Sequence, residues 1–355
     1  MKIGIFDPYL DDLGGGEKYM MTLAECLSKE NDVSVFWDRE EDVRELLNRF
    51  TLNLSKVKIT KNIFARDFGF FNKLFESRKY DVIIVLSDGS IPFLLSKKIF
   101  LHVQQPLENI EKNIKSRFKF SRISGVFYNS EYTKSFNSAK LHIKSTVIYP
   151  PVNLYPYNKK KSNIILHVGR FRVKNVKGVD DYKKQAVMVK VFKEMVDSGF
   201  KNWELIMAVS IREKELAKFE EMKNSVKGYP VRFIINSSND ALEKVYSKAK
   251  IYWHASGFGE DLEANPEYAE HFGISTVEAM SAGAVPVVIN AGGQREIVKD
   301  GETGFLWKTL DDLKTKTLRL AGDKKLLETL SERASGYAEK FGKDKFCKEV
   351  NGLIQ

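Results

Sequence analysis

Two glutamates, Glu270 and Glu278, frame the run with the densest position-specific chemistry in the chain, Phe272-Gly273-Ile274-Ser275. A carboxylate accepts charge-assisted hydrogen bonds from hydroxyls, so a pair of them can grip opposite ends of one polyhydroxylated ligand. The loop between them suits an anion. Phe272-Gly273-Ile274 has no helical periodicity, and its glycine is free to take positive φ, which reads as a tight turn. Ser275 offers an N-cap hydroxyl, and Glu278 three residues later completes a capping-box pattern for a short helix from Thr276 to Ala282. Gly283 fits the position just past that helix, and Ala284 to Ile289 reads as a buried parallel strand. The first turn of such a helix presents unpaired N–H groups and a positive dipole end to a phosphate. The same residues also satisfy a plainer reading, with Glu278 only a capping residue and Glu270 a solvated loop charge.

The elements that must position this run lie in a chain of 355 residues, long enough for two domains with a core each. Composition is that of a globular protein, 43% hydrophobic and 29% charged. A net charge of +10 and a pI near 9.2 favour anionic partners: nucleotide diphosphates, anionic lipid surfaces or nucleic acid. Cys26 and Cys347 match no metal or redox spacing, so a reducing compartment is the default expectation. No apolar run approaches the length that spans a bilayer, and the N-terminus leads straight into a strand, which points to an intracellular protein, free or peripheral.

Lys2 to Phe6 reads as a strand, Gly14-Gly15-Gly16 as a turn, Glu17 to about Lys29 as a helix and Val33 to Phe36 as the next strand. That is the start of a Rossmann-like half, without the G-x-G-x-x-G spacing of dinucleotide binders or a P-loop ending. The missing fingerprint disfavours an oxidoreductase. Asp81 to Leu86 is a further buried strand, and Lys98 to Leu101 leads to His102. A histidine at a strand's carboxyl end points into the crevice where open α/β sheets bind ligands, though such residues are often structural.

Phe64, Phe68, Phe70, Phe71, Leu74 and Phe75 alternate with Arg66, Lys73, Arg78 and Lys79. A second cluster holds Lys112, Lys115, Arg117, Phe118, Lys119, Phe120 and Arg122. Such segments lie on an anionic membrane surface or form a core-facing stripe with a solvated basic edge, and the stripe is the favoured reading. No nucleic-acid motif accompanies the charge, so nucleic acid is not expected as a partner. Tyr155 to Ser162 reads as a linker, dividing the chain into domains over 1–155 and 162–335 and a terminal helical segment over 336–355. Strands follow at 163–168, 203–210, 231–236 and 251–255, and Gly257 to Glu267 forms a polar loop before the key run.

Glu270-x7-Glu278 in the context His-Phe-Gly-Ile-Ser, continued by Glu278-Ala279-Met280-Ser281-Ala282-Gly283-Ala284-Val285-Pro286-Val287-Val288, resembles the donor-site signature of GT4-type retaining glycosyltransferases. Ala291 to Val298 and Gly301 to Leu306 fit the same family, so the match runs almost continuously. Asn153, where the family usually has Asp, and Ser210, in a strand end that lacks the family's frequent Gly, are departures.

The resemblance implies an α/β GT-B fold, two Rossmann-like domains facing each other across a cleft, with the last segment crossing back to the first domain. It implies a hexosyltransferase that uses a nucleotide-diphosphate sugar as substrate, with retention and with neither metal nor cofactor. The absence of any Asp-x-Asp agrees with that. Arg170 and a lysine about a turn into the next helix would hold the diphosphate. Counting back from Val191-Phe192 selects Lys183, with Lys177 as the alternative. Glu270 would touch the sugar hydroxyls and Glu278 the ribose. Gly15, Gly16, Phe272, Gly273, Ile274 and Ser275 would line the donor, and His102 would face its sugar. The Glu-His-Phe-Gly-Ile form is similar to that of mannosyltransferases building lipid-linked oligosaccharides, which points to GDP-mannose rather than a UDP-sugar. The acceptor would be a glycan or lipid-linked glycan, and the location cytoplasmic, peripheral on the inner face of the membrane. A nucleotide-sugar epimerase and a non-catalytic relative are the competing readings.

Overall fold

The computed structural model describes residues 1–12, 14–107, 118–141, 143–173 and 181–354. The chain divides into two units, Met1–Pro151 with Lys343–Gln355, and Val152–Gly342. Each has a wholly parallel sheet, as expected of strands that are apolar on both faces.

In the first unit the strands are β1 (Lys2–Phe6), β2 (Asp32–Phe36), β3 (Val57–Thr60), β4 (Val82–Leu86), β5 (Lys98–Val103), β6 (Gly125–Tyr128) and β7 (Ser145–Val147), in the order β3-β2-β1-β4-β5-β6-β7. The reversal between β1 and β4 is the switch point of a doubly wound sheet. Ile3, Ile5, Val33, Val35, Val82 and Ile84 lie in its core. The helix Gly15–Leu27 begins two residues earlier than expected. Gly14 is its N-cap, its N–H bonded to the Glu17 carboxylate at 2.7 Å, so Gly15 and Gly16 occupy the first turn rather than a loop. A Cβ at Gly16 would stand 2.4 Å from Oε1 of Gln104, so the end of that side chain would have to shift.

The last helix, Lys343–Ile354, belongs to this unit. Phe346 packs edge-on against Tyr19 at 4.9 Å, Lys343 donates to Glu25 at 2.6 Å, and Cys347 is disulfide-bonded to Cys26 across a separation of 321 residues. The reading that sets these cysteines aside as matching no metal or redox spacing is thereby corrected. No local spacing reveals a pair closed by the chain's return, and cysteine usage no longer argues for a reducing compartment.

The aromatic–basic segment divides. Phe64, Phe68 and Phe120 pack against the core. Phe70, Phe71, Phe75 and Phe118 are 53%, 72%, 67% and 62% exposed, which overturns the core-facing reading for those four. Lys112, Lys115 and Arg117 lie outside the described residues, as do Lys174 and Lys177. Among the described residues no helix is long and apolar enough to cross a membrane.

In the second unit the strands are β8 (Ser162–Arg170), β9 (Glu204–Ser210), β10 (Val231–Ile235), β11 (Ala249–His254), β12 (Val285–Ile289) and β13 (Phe305–Trp307), in the order β10-β9-β8-β11-β12-β13. Register places Arg170 beside Ser210 and His254 beside Val288. Arg170 and His254 are the last residues of β8 and β11, neighbouring strands on either side of the second switch point. That carboxyl edge is where an open α/β sheet assembles a site.

Candidate functional site

Beyond β8, a left-handed residue at each end shapes the turn from Asp181 to Lys184, with φ +45° and +54°. The Asp181 carboxylate accepts the N–H groups of Gln185 at 2.8 Å and Ala186 at 2.9 Å, two of the orphan donors opening the helix Gln185–Asp197. Burial raises its pKa against these bonds. Lys183 therefore stands on a rigid turn before the helix, not a turn inside it as the resemblance implied.

Lys183 Nζ donates to Oε2 of Glu270 at 2.7 Å, and His254 Nε2 donates to the same oxygen at 3.0 Å. Burial pushes the Glu270 carboxyl up, but the Lys183 charge and the His254 hydrogen bond outweigh it and hold the pKa well below the carboxylate range. Burial also opposes the Lys183 charge, yet Glu270 keeps the ammonium above its ordinary pKa. The two form an ion pair. His254 is buried, which lowers its pKa despite Glu270 and leaves a neutral ring that donates through Nε2. Arg170 is near enough for its charge to bear on Lys183, whose ammonium also lies 4.8 Å from the Tyr182 ring centre. The structure thus brings Arg170, Lys183 and Glu270 together and adds His254 and Tyr182, which the sequence reading missed. The signal for His254 was present, since it ends a buried strand just as His102 nearly does.

The helix after the loop spans Ile274–Ser281, and its N-cap is Gly273 at φ +115° with no side-chain cap. Thr276 and Val277 donate to the Gly273 carbonyl, which leaves the Ile274 and Ser275 N–H groups without an intrahelical partner. The expected capping box is not formed. Ser275 lies inside the helix with its hydroxyl 2.7 Å from that of Tyr252, and Glu278 accepts the Tyr246 hydroxyl at 2.9 Å. A free first turn is better suited to an anion than a capped one. At the other end Gly283, φ +86°, and Ala284 donate to Met280 and Ala279, a Schellman ending with Gly283 just past the helix as read from sequence.

Gly292 and Gly293 support the loop from below. A Cβ would meet the Glu270 carbonyl at 2.3 Å and the His271 carbonyl at 2.4 Å respectively, and Gly293 N–H donates to Glu270 O at 2.8 Å. Phe272 is buried 5.5 Å from the Phe341 ring. Among the described residues no group of three His, Cys, Asp or Glu side chains could hold a metal.

His102, Gly15 and Gly16 belong to the first unit. His102 is buried between Tyr19 and Phe127 at ring distances of 4.1 and 4.4 Å, and Nδ1 donates to the Phe127 carbonyl at 3.1 Å. Burial lowers its pKa to about 3, so the ring is neutral and Nε2 has no partner among the described residues. Asp7, just past β1, is buried with one oxygen on the Tyr9 N–H at 2.9 Å and the other unpaired. Burial first and the Glu17 charge second push its pKa up to about 8. Its contribution to stability is full below the unfolded carboxylate value of about 4 and is lost as pH rises through about 8. Asp7→Asn is expected to remove that loss, on the order of a few kcal/mol. Melting temperatures of both proteins from pH 4 to 9 check it, and parallel curves would refute it.

A sequence model of the family described as glycosyl transferases group 1 matches residues 156–337. The chain is similar to a GDP-Man:Man(3)GlcNAc(2)-PP-Dol alpha-1,2-mannosyltransferase of Dictyostelium discoideum, 24% identical over 59% of this chain and 42% of that protein. This chain therefore spans under half the length of that relative. It is also similar to an uncharacterized glycosyltransferase of Methanocaldococcus jannaschii, 27% identical over 75% of this chain and 69% of that one. Among solved structures, Anabaena HepE in complex with UDP and glucose superposes with a TM-score of 0.72 at 18% identity, covering 100% of this chain and 99% of that one.

Proposed function

The chain belongs to the group 1 glycosyltransferases, with the GT-B architecture of two Rossmann-like units, and from that premise we propose that it moves a hexose from a nucleotide-diphosphate sugar to a hydroxyl of a glycan or lipid-linked glycan. The observation that carries this is the partly buried Lys183–Glu270 ion pair beside Arg170, with Glu270 four residues before an uncapped helix N-terminus. The hard step is negative charge on the departing diphosphate. Arg170, Lys183 and the free N–H groups of Ile274 and Ser275 stabilise it as preorganised donors, with no metal and no cofactor needed.

Glu270, held ionised with Oε2 occupied, accepts the sugar hydroxyls. Glu278, oriented by Tyr246, accepts the ribose hydroxyls. The stereochemistry is retention by a front-face path. The bond from the anomeric carbon to phosphate breaks as the bond to the acceptor oxygen forms, and the acceptor proton passes to the leaving phosphate. A double displacement would need a nucleophilic carboxylate, and the reading names none, since Glu270 is given to the sugar hydroxyls and Glu278 to the ribose.

GDP-mannose is the preferred donor, supported by the Glu-His-Phe-Gly-Ile form and by the mannosyltransferase relative. A UDP-sugar is the second reading, favoured by the UDP and glucose in HepE. The location proposed is the cytoplasmic face of a membrane, held peripherally. Thermal shifts with GDP, UDP, ADP and their sugar conjugates test the donor, since a ligand of the folded state raises the melting temperature. One nucleotide is expected to shift the wild type by several degrees and Glu278→Ala by little. No shift from any of them favours a non-catalytic relative, and turnover of the sugar nucleotide without an acceptor would favour an epimerase.

A further inference from the structure

Four aromatic rings of the first unit are more than half exposed, and they are not scattered. Phe71 and Phe75 are four residues apart on the helix Phe70–Ser77 and so share a face. Phe70 lies 5.6 Å from Phe71 and 6.5 Å from Phe93, and Phe93 lies 5.6 Å from Phe118. The rings form one continuous path across three segments of chain. Isolated exposed apolar residues need no explanation, but a contiguous aromatic patch marks an interaction surface.

The charge around it identifies the partner. Residues 61–79 hold five basic side chains against two acidic ones, and one of the acidic pair, Glu76, is engaged by Lys79 at 2.5 Å. Lys73 sits 5.9 Å from the Phe70 ring centre, and its pKa is lowered by burial and by the neighbouring charge of Lys119. Among the described residues neither Lys73 nor Lys119 is in an ion pair. Two like charges beside bare rings favour an anionic partner. A second copy of this surface would bring the same cations against each other.

We propose that Phe70, Phe71, Phe75 and Phe118, with Lys73 and Lys119, form a docking surface for an anionic lipid bilayer. Aromatic rings enter the headgroup–acyl boundary while lysines at their margin meet anionic headgroups. This deepens the peripheral location proposed above and does not depend on the transfer chemistry.

The test is co-sedimentation of the full chain with vesicles of phosphatidylcholine, with and without phosphatidylserine. The wild type is expected to bind the anionic vesicles, and less so as salt rises. Phe71→Ser with Phe75→Ser should lower the partition coefficient roughly a hundredfold, because burying each ring is worth about tenfold. Lys73→Ala with Lys119→Ala should weaken binding and flatten its salt dependence. Leu318→Ser, at an exposed apolar residue of the other unit, should change nothing. No binding by the wild type, equal binding by the phenylalanine variant, or equal binding to neutral vesicles overturns the proposal. So does a dimer in light scattering that the phenylalanine variant abolishes. The nucleotide-induced thermal shift is measured on every variant. If it fails in a wild type that binds vesicles, the proposed transfer falls and this surface stands.

Discussion

Lys183→Ala is expected to lower the rate of sugar transfer by about two to three orders of magnitude, the usual cost of removing one preorganised donor from a developing oxyanion. Lys177→Ala should stay within a few-fold of wild type. The difference rests on geometry, because Lys183 stands on a turn clamped by Asp181 and is ion-paired with the carboxylate proposed for the sugar. The substitution also removes the charge that offsets Glu270 burial, so its carboxyl should rise towards the ordinary range and the fold should lose about 1–3 kcal/mol. Lys183→Met with Glu270→Gln separates the two effects. The double variant removes both charges and should recover most of that stability, while transfer stays lost. Recovered activity would make the pair structural only. Equal losses for Lys183→Ala and Lys177→Ala would sink the assignment.

Gly293→Ala should destabilise the protein by about 1–3 kcal/mol through overpacking, and weaken donor binding by an order of magnitude or more. The reason is steric rather than conformational. Gly293 has ordinary φ, at −66°, but a Cβ would meet the His271 carbonyl at 2.4 Å and Phe272 Cα at 2.5 Å. Those are backbone atoms of the loop joining Glu270 to the helix N-terminus, and they yield only by moving the loop. Gly199→Ala is the comparison. Gly199 is left-handed at φ +96° with nothing within 4 Å of a Cβ, so the change costs about 1–2 kcal/mol of backbone strain and leaves nucleotide binding alone. Equal loss of nucleotide binding in both variants, measured by calorimetry, would show that the effect is general destabilisation.

The strands were legible because their cause is local. Val82–Leu86 and Val285–Ile289 are short apolar runs rich in β-branched residues, and such runs become strands buried on both faces whichever neighbours they find. The helix end at Gly283 was legible for the same reason, since left-handed backbone selects glycine from within the chain. The start of the same helix was misread. Ser275 and Glu278 fit a capping box, but Tyr252 and Tyr246, brought in by a strand and another helix, take their polar atoms instead. Local pattern states what a side chain is able to bond, not which partner the fold delivers.

The site shows the same division. Sequence by itself determined the residue types: two glutamates about a glycine turn, an arginine just past a strand, and a lysine assigned to the helix that follows. Only the tertiary structure decided that Lys183 and His254, 87 and 16 residues from Glu270, share one of its oxygens, and that Glu270 is consequently ionised. It also decided that Cys26 meets Cys347, and that of one aromatic segment Phe64 is packed while Phe71 is bare. Backbone preference acts between residues close along the chain. Ionisation, pairing and exposure depend on which distant elements are packed alongside, and topology sets that.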